Sequence, residues 1–324
     1  MRILVTGASG FIGRHVAAAA RDRGHALRLL THTADAAGTA NGSVESVAHD
    51  LRRREGLADI VRGVDAVIHC AALLNGSEHD QQAVTVDGTK NLLDAMAAAG
   101  VAHIVLISTF ALYDYRRIPA GSALTEESPL DETPGDRAPY VRVKKAQEEF
   151  VREYGRLHGW RVTILRPGLV FGPGRTWFHH LGIAPSPRLW IGLAGRSALP
   201  LTHVENCADA IVLAAETPAA AGATLNVVDD NPPERRDYLR TLAQHAAPRP
   251  LIGYIPWGLI HLCASVASGT NRVLLRGKAP LPDLLRPASL DPRCKPLSYP
   301  NDRAKQVLGW SPRLAWQDAL TRSV

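Results

Sequence analysis

The sequence predicts an α/β fold, with a parallel sheet doubly wound so that helices cover both faces. Three observations carry this expectation. Short apolar runs alternate with helix-length segments through the first half of the chain. The first run, Ile3-Leu4-Val5, leads into three evenly spaced glycines, Gly7, Gly10 and Gly13. Single glycines, Gly24 and Gly100, stand where helical patterns stop. Such alternation builds βαβ units, and their right-handed crossovers put helices on both faces of the sheet.

Taken in order, residues 3–6 read as a strand and 12–23 as a helix. Strands follow at 26–30 and 44–48, then a helix at 52–62. A buried strand is expected at 66–69, and a long alanine-rich helix at 82–99. Another strand at 104–108 precedes a helix with a charged face at 140–157, and 162–165 is again a strand. After Gly174 the rhythm breaks, and Pro185, Pro187 and Pro200 punctuate a stretch with no clear assignment. Residues 207–215 look helical, 224–228 look like a strand, and the tail between Pro280 and Pro300 is rich in proline. No repeat or low-complexity segment is present.

Composition excludes several classes. Of 324 residues, 46% are hydrophobic and 21% charged, so a globular chain is expected rather than a disordered one. The net charge of +6 suits an anionic small molecule. Nucleic acid is not expected, because no basic run is interleaved with aromatics; Arg52-Arg53-Arg54 reads as the solvated start of a helix. The four cysteines, Cys70, Cys207, Cys263 and Cys294, are far apart, so neither a disulfide framework nor a zinc site is indicated. Free thiols fit a cytoplasmic protein. The N-terminal apolar stretch is too short for a signal peptide, and no apolar window reaches the ~18 residues a membrane span needs. Residues 255–267 come nearest. They read as a substrate-pocket helix or an amphipathic lid, with no stable membrane insertion.

In a strand–turn–helix context, glycines give a tight turn, let a pyrophosphate approach the backbone, and allow close helix–strand packing. The helix N-terminus then offers unpaired N–H groups to phosphate. A ligand-free tight turn is the plainer alternative. Tyr140 and Lys144 are four residues apart, hence on one helix face. An ammonium beside a phenol lowers its pKa and makes a proton shuttle for an alcohol or carbonyl. The plainer alternative is a solvated surface pair. Ser108-Thr109 ends a buried strand, where a hydroxyl can hold a substrate oxygen.

This ordered set, with the opening TGASGFIG, resembles the extended branch of the short-chain dehydrogenase/reductase superfamily. Further stretches carry the resemblance: HCAA at 69–72, VDGTKN at 86–91 (with Thr85 where the family usually has Asn), ISTFALY at 107–113, RPGLVFGPG at 166–174, HVENCADA at 203–210 and LGWSP at 308–312. It implies a Rossmann-type dinucleotide domain at 1–174. A smaller substrate-binding lobe would follow at 175–324, with about 199–230 returning to the main sheet. It assigns catalysis to Tyr140, Lys144 and Thr109, with Ser108 as the runner-up hydroxyl. Cofactor contacts fall on Gly7, Ser9, Gly10, Phe11, Ile12, Gly13, His32, Asp50, Leu51, Ala71, Ala72, Pro167, Gly168 and Val170, besides Tyr140 and Lys144. Asp50 reads equally well as a helix N-cap before Arg52.

Members that use NAD usually carry an acid near Thr31-His32-Thr33; none is present there, and Arg14, His32 and Arg28 could meet a 2′-phosphate. NADP(H) is therefore favoured over NAD(H). The resemblance further implies hydride transfer at a secondary alcohol or ketone, and THVEN with 255–267 is similar to the 3β-hydroxysteroid dehydrogenase-like members. A nucleotide-sugar epimerase or reductase shares the same motifs, with Arg175, Arg188 and Arg196 as candidate diphosphate partners. Phe110-Ala111 replaces the acidic pair of the dehydratases, which disfavours elimination. A catalytically inactive dinucleotide-binding protein is the remaining reading. Trp177, Trp190 and Trp257 offer apolar walls. His179-His180 lacks a third ligand nearby, so no metal is expected. A homodimer through the helices near 82–99 and 140–157 is the expected assembly.

Overall fold

The computed structural model describes residues 1–32, 43–133, 138–274 and 281–324. Seven parallel strands form the main sheet. In chain order its elements are β1 (Arg2–Thr6), α1 (Phe11–Asp22), β2 (Ala26–Thr31), β3 (Val44–Ala48), α2 (Leu57–Val61), β4 (Ala66–His69), α3 (Glu78–Gln81), α4 (Gly88–Ala99), β5 (His103–Ile107), α5 (Pro139–His158) and β6 (Arg161–Pro167). Next come β7 (Leu169–Phe171), β8 (Gly182–Ser186), β9 (Leu189–Leu193), β10 (Leu201–His203), α6 (Val204–Glu216) and β11 (Thr224–Val227). The rest is α7 (Arg235–Gln244), β12 (Leu251–Ile255), α8 (Trp257–Leu274), α9 (Pro287–Cys294), α10 (Asp302–Leu308) and α11 (Trp316–Ser323).

The sheet order is β3-β2-β1-β4-β5-β6-β11. Strand order reverses between β1 and β4, the switch point at which such sheets open a crevice at their carboxyl edge. β4 and β5 are buried along their whole length, which is why they read as unbroken apolar runs. One apolar layer packs α1, α6 and the Ala304–Trp310 segment on one face, through Val16, Ala20, Ile211 and Leu308. A second packs α2, α4 and α5 on the other, through Leu57, Leu92, Met96 and Val151. The doubly wound expectation is met.

Three local expectations are corrected. Residues 52–62 are helical only over Leu57–Val61. The Asp50 carboxylate accepts from Arg52 N at 3.0 Å, making a turn, and Gly56 at φ 79° starts the helix late. Residues 82–99 are not one α-helix: Gln82–Asp87 is π-helical and only Gly88–Ala99 is α-helical. The stretch after Gly174 contains an antiparallel pair, β8 and β9, and β9 is joined from its other side by β12. β7 and β10 form a separate two-stranded sheet. Of the 255–267 stretch, Ile255 ends β12, and α8 begins only at Trp257 and runs past its end. No helix among the described residues is long and apolar enough to cross a membrane.

Candidate active site

β1, β4, β5 and β6 run parallel, so their carboxyl ends bring Gly7, Cys70–Ala72, Ser108–Thr109 and Pro167–Gly168 to one edge. At Gly7 the backbone takes φ 65°, and a Cβ would lie 2.9 Å from Ala71 Cα. A Cβ on Gly13 would lie 2.1 Å from the Gly7 carbonyl oxygen. These two glycines are therefore demanded by the turn and its packing. Gly10 is exposed and caps α1 without any side-chain bond, and the first turn of α1 holds no acid. Ser9 is exposed beside it, and Phe11 and Ile12 are half-buried. An uncapped helix start in a cradle too tight for side chains fits a pyrophosphate. Ala71 N donates to Thr6 Oγ1 at 3.3 Å, which fixes the loop after β4 against this turn, with Ala72 half-buried next to it.

Ser108 and Thr109 have different surroundings. Ser108 is buried, and its hydroxyl donates to Glu148 at 2.8 Å. Glu148 is also held by Arg166 at 2.5 Å and by Arg152 at 2.9 Å. This hydroxyl is consumed by the buried ion pair. Thr109 is half-buried, accepts from Ala111 N at 3.1 Å, and is bonded to the Tyr140 hydroxyl. The structure therefore brings Thr109 and Tyr140 together and leaves Ser108 aside.

Burial raises the Tyr140 phenol above its ordinary pKa; the bond to Thr109 and the charge of Arg175 pull it back. The sequence argument made Lys144 the cation that lowers Tyr140; in this structure the charge that acts on the phenol is that of Arg175. Lys144 is 2% exposed, its ammonium donates to the Ile107 carbonyl at 2.6 Å and to Gln147 Oε1, and it is absent from the charges acting on Tyr140. Arg175, in the turn after β7, is the cation that acts on the phenol, and its guanidinium lies 5.3 Å from the centre of the Phe11 ring. Burial lowers the Lys144 pKa to about 8, against the opposing pull of Glu148 and Cys70.

A polar chain runs inward from Lys144. Gln147 Nε2 donates to Thr89 Oγ1 at 2.8 Å and to the Ala71 carbonyl at 3.3 Å. His69 bonds Thr89 at 2.8 Å and Thr6 at 2.7 Å, and burial pushes its pKa down to about 3, so it stays neutral. Sequence reasoning missed Gln147. The available signal was its i+3 spacing from Lys144 on a buried helix face.

At the far end of the edge, Asp50 is clasped by Arg52 at 2.6 Å, which holds its carboxyl at about 2. His32 is exposed and lies 3.6 Å from Asp50. Leu51 is buried, and its carbonyl accepts from Asn91 at 2.9 Å. Arg28 points elsewhere: it bonds Glu45 at 2.8 Å and the Ile60 carbonyl at 2.5 Å, so it does not reach this edge. Arg14 lies over the Phe11 ring. Thr33 lies outside the described residues. Near Thr109, Pro167 is buried while Gly168 and Val170 are half-buried. A Cβ on Gly168 would meet the Pro200 oxygen at 2.1 Å, so strand packing alone requires that glycine. Among the described residues no three His, Cys, Asp or Glu side chains gather as a metal set.

With this geometry in place, similarity to known proteins is decisive. The family described as the NAD dependent epimerase/dehydratase family matches residues 3–227. The chain belongs to that family. It is an NAD(P)-dependent enzyme of the extended short-chain dehydrogenase type. Among its relatives is the 4-hydroxy-2-methyl-3-oxo-4-farnesyl-3,4-dihydroquinoline-1-oxide ketoreductase of Stigmatella aurantiaca, 28% identical over 99% of this chain and 95% of that one. Another is the 2-alkyl-3-oxoalkanoate reductase of Stenotrophomonas maltophilia, 27% identical over 99% of this chain and 98% of that one. A UDP-glucuronic acid 4-epimerase from Bacillus cereus, solved with NAD, shares the fold, with a TM-score of 0.73 at 18% identity over 100% of this chain and 97% of that one. The shared fold spans the whole of this chain.

Proposed function

We propose that this enzyme transfers hydride between NADP(H) and a secondary alcohol or ketone on a largely apolar substrate, with Tyr140 as general acid/base. The bond between Thr109 and Tyr140 at the sheet edge is the observation that carries the reading. Bound at the glycine turn, the nicotinamide supplies or accepts the hydride. Tyr140, kept protonated by burial, donates its phenolic proton to the carbonyl oxygen in reduction and recovers it in oxidation. Thr109 orients that oxygen. Lys144, already stripped of water, would hold the nicotinamide ribose, with Gln147 and the Ile107 carbonyl fixing its ammonium. Gly7, Ser9, Gly10, Phe11, Ile12 and Gly13 would seat the pyrophosphate, Asp50 and Leu51 the adenosine, and Ala71, Ala72, Pro167, Gly168 and Val170 the nicotinamide half.

The preference for NADP(H) rests on the lack of an acid at Thr31 or His32 and on Arg14 beside the turn. Two relatives named as reductases of ketones support reduction as the working direction. The unpaired cysteines support a cytoplasmic setting, and the family resemblance supports a homodimer paired through α4 and α5.

The test is cofactor oxidation with a panel of sterols and apolar ketones, set against UDP, dTDP and GDP sugars. NADPH consumption with a ketone is expected, and Tyr140→Phe should cut turnover by about 10²–10⁴-fold without changing cofactor affinity. Turnover of a nucleotide sugar and of no ketone would replace this reading with epimerisation or sugar reduction.

A further inference from the structure

Two adjacent arginines open α7, and their surroundings differ sharply. Arg236 is partly exposed, lies 2.6 Å from Glu234 and lines a surface cavity of about 490 Å³ together with Arg240, Tyr254 and Trp257. Arg235 turns inward and is 1% exposed. One of its terminal nitrogens donates to the His180 carbonyl at 3.0 Å. Its Nε is buried without a partner, and no carboxylate among the described residues pairs with it. The titratable groups that reach it are Tyr299, Cys294 and Tyr115. Burial pushes the Tyr299 phenol up to about 12 and the Cys294 thiol up to about 11, so both stay neutral.

His180, whose carbonyl accepts from Arg235, is itself held neutral. His180 feels both Arg235 and Arg293, and burial with these two charges pushes it down to about 3. The other deeply buried arginine, Arg166, has Glu148 at 2.5 Å. An ion moved from water to a protein interior costs several kcal/mol unless it is paired. Arg235 is thus a preformed cation without its counter-charge.

Its place in the fold ties it to the reacting edge. Arg235 N donates to the Ser197 carbonyl, and Leu199 N to the Pro233 carbonyl, so the start of α7 is strapped to the segment that leads into Pro200. Pro200 abuts Gly168. On its other side, the Tyr299 ring centre is 6.0 Å from that of Phe110, the residue after Thr109. The start of α7 is thus tied to the Gly168 side of the edge, while Tyr299, which reaches Arg235, shares an apolar cluster with Tyr115, Leu297 and Phe110, the residue after Thr109.

We propose that Arg235 receives a carboxylate of the substrate, which is then an oxo or hydroxy acid with an otherwise apolar body. This rests on the hydride-transfer reading for the identity of the substrate, but not for the anion site itself. A single carboxylate matches a single guanidinium in aromatic surroundings, whereas a diphosphate would bring more charge than Arg235 alone can meet.

The experiment is equilibrium binding to the full-length protein, with no turnover required, using tetradecanoate and its uncharged methyl ester as probes. Wild type should bind the acid at least tenfold more tightly than the ester, and Arg235→Met should reduce that preference to about twofold or less. Ligand-free Arg235→Met should melt no lower than wild type, because an unpaired buried charge has been removed. Equal binding of acid and ester, binding of neither, or a preference that survives in Arg235→Met overturns the proposal. The wild-type comparison decides even if the variant does not fold. Displacement of tetradecanoate by UDP, lost in Arg235→Met, would make the occupant a nucleotide phosphate and overturn the carboxylate assignment. Acid preference without reduction of any ketone would leave the anion site standing and reject the reaction proposed above.

Discussion

The glycine turn at the end of β1 and the lobe built on β9, β12 and α7 obey different constraints. At the turn, backbone meets backbone. Gly13 has no room for a single extra carbon, and Gly7 needs both a left-handed φ and contact with Ala71. In the lobe, side chains from distant parts of the chain meet one another. Trp190 packs against Trp177, Tyr254 stands over Gly192, and Arg235 faces Tyr115 and Tyr299. Backbone constraints restrict residue type and so appear as motifs. Side-chain encounters tolerate many residue types and leave no pattern in one sequence.

The largest predicted contrast tests this directly. Gly13→Ala forces a Cβ to within 2.1 Å of a carbonyl oxygen. It should cost about 3 kcal/mol or more and abolish cofactor binding, because the turn must shift. Gly253→Ala in β12 adds a Cβ that meets nothing within 4 Å. Its stability should stay within about 0.5 kcal/mol of wild type. Thermal melts with and without cofactor read both, and equal losses would remove the distinction.

A second contrast concerns Lys144. Its folded pKa is about 8 against an ordinary 10.5, so the fold disfavours the charged form. Between pH 8 and 10.5 the unfolded chain binds more protons than the folded one, and stability rises with pH there. Relative to Lys144→Met, wild type should gain about 3 kcal/mol across that window and nothing below it. Denaturant melts of both proteins at pH 7, 8, 9 and 10 measure the difference; a flat difference would mean that the ammonium is not desolvated.

Ser108 and Thr109 provide a third, within two adjacent residues. Thr109→Val should lower turnover about 10²-fold with little change in melting temperature. Ser108→Ala should leave turnover within a few fold while costing about 1–2 kcal/mol, because Glu148 loses a buried donor. Reversed outcomes would move the catalytic hydroxyl to Ser108.

The main sheet was legible because its inner strands are buried apolar runs, and 44–48 and 66–69 were read to the residue. The tyrosine and lysine could be placed on one helix face, but spacing does not reveal a rotamer. Lys144 turns to Ile107 and Gln147 instead of Tyr140. Residues 52–62 misled because an Asx turn and Gly56 delay the helix without changing its apolar pattern. β9 could not be read as a sheet centre, since its parallel partner β12 arrives about sixty residues later. Arg235 was illegible for a related reason. Two arginines at a helix start look solvated, yet the fold buries Arg235 within reach of Tyr115, Cys294 and Tyr299, residues far away in the chain.

The smallest predicted effect lies where the two regions touch. Arg175 follows the β7 turn, stacks on Phe11 of the cofactor half, and is the charge that lowers the Tyr140 phenol. It is exposed, so solvent and salt screen much of its influence. Arg175→Gln should move the Tyr140 limb of the pH–rate profile upward, with turnover at neutral pH changed by under about tenfold. Arg175→Lys should restore the limb. The shift should shrink between about 50 mM and 500 mM salt, because the Debye length falls as ionic strength rises. A limb that ignores both salt and substitution would mean that Tyr140 is tuned by burial and Thr109 alone, with no electrostatic link from the lobe side of the cleft.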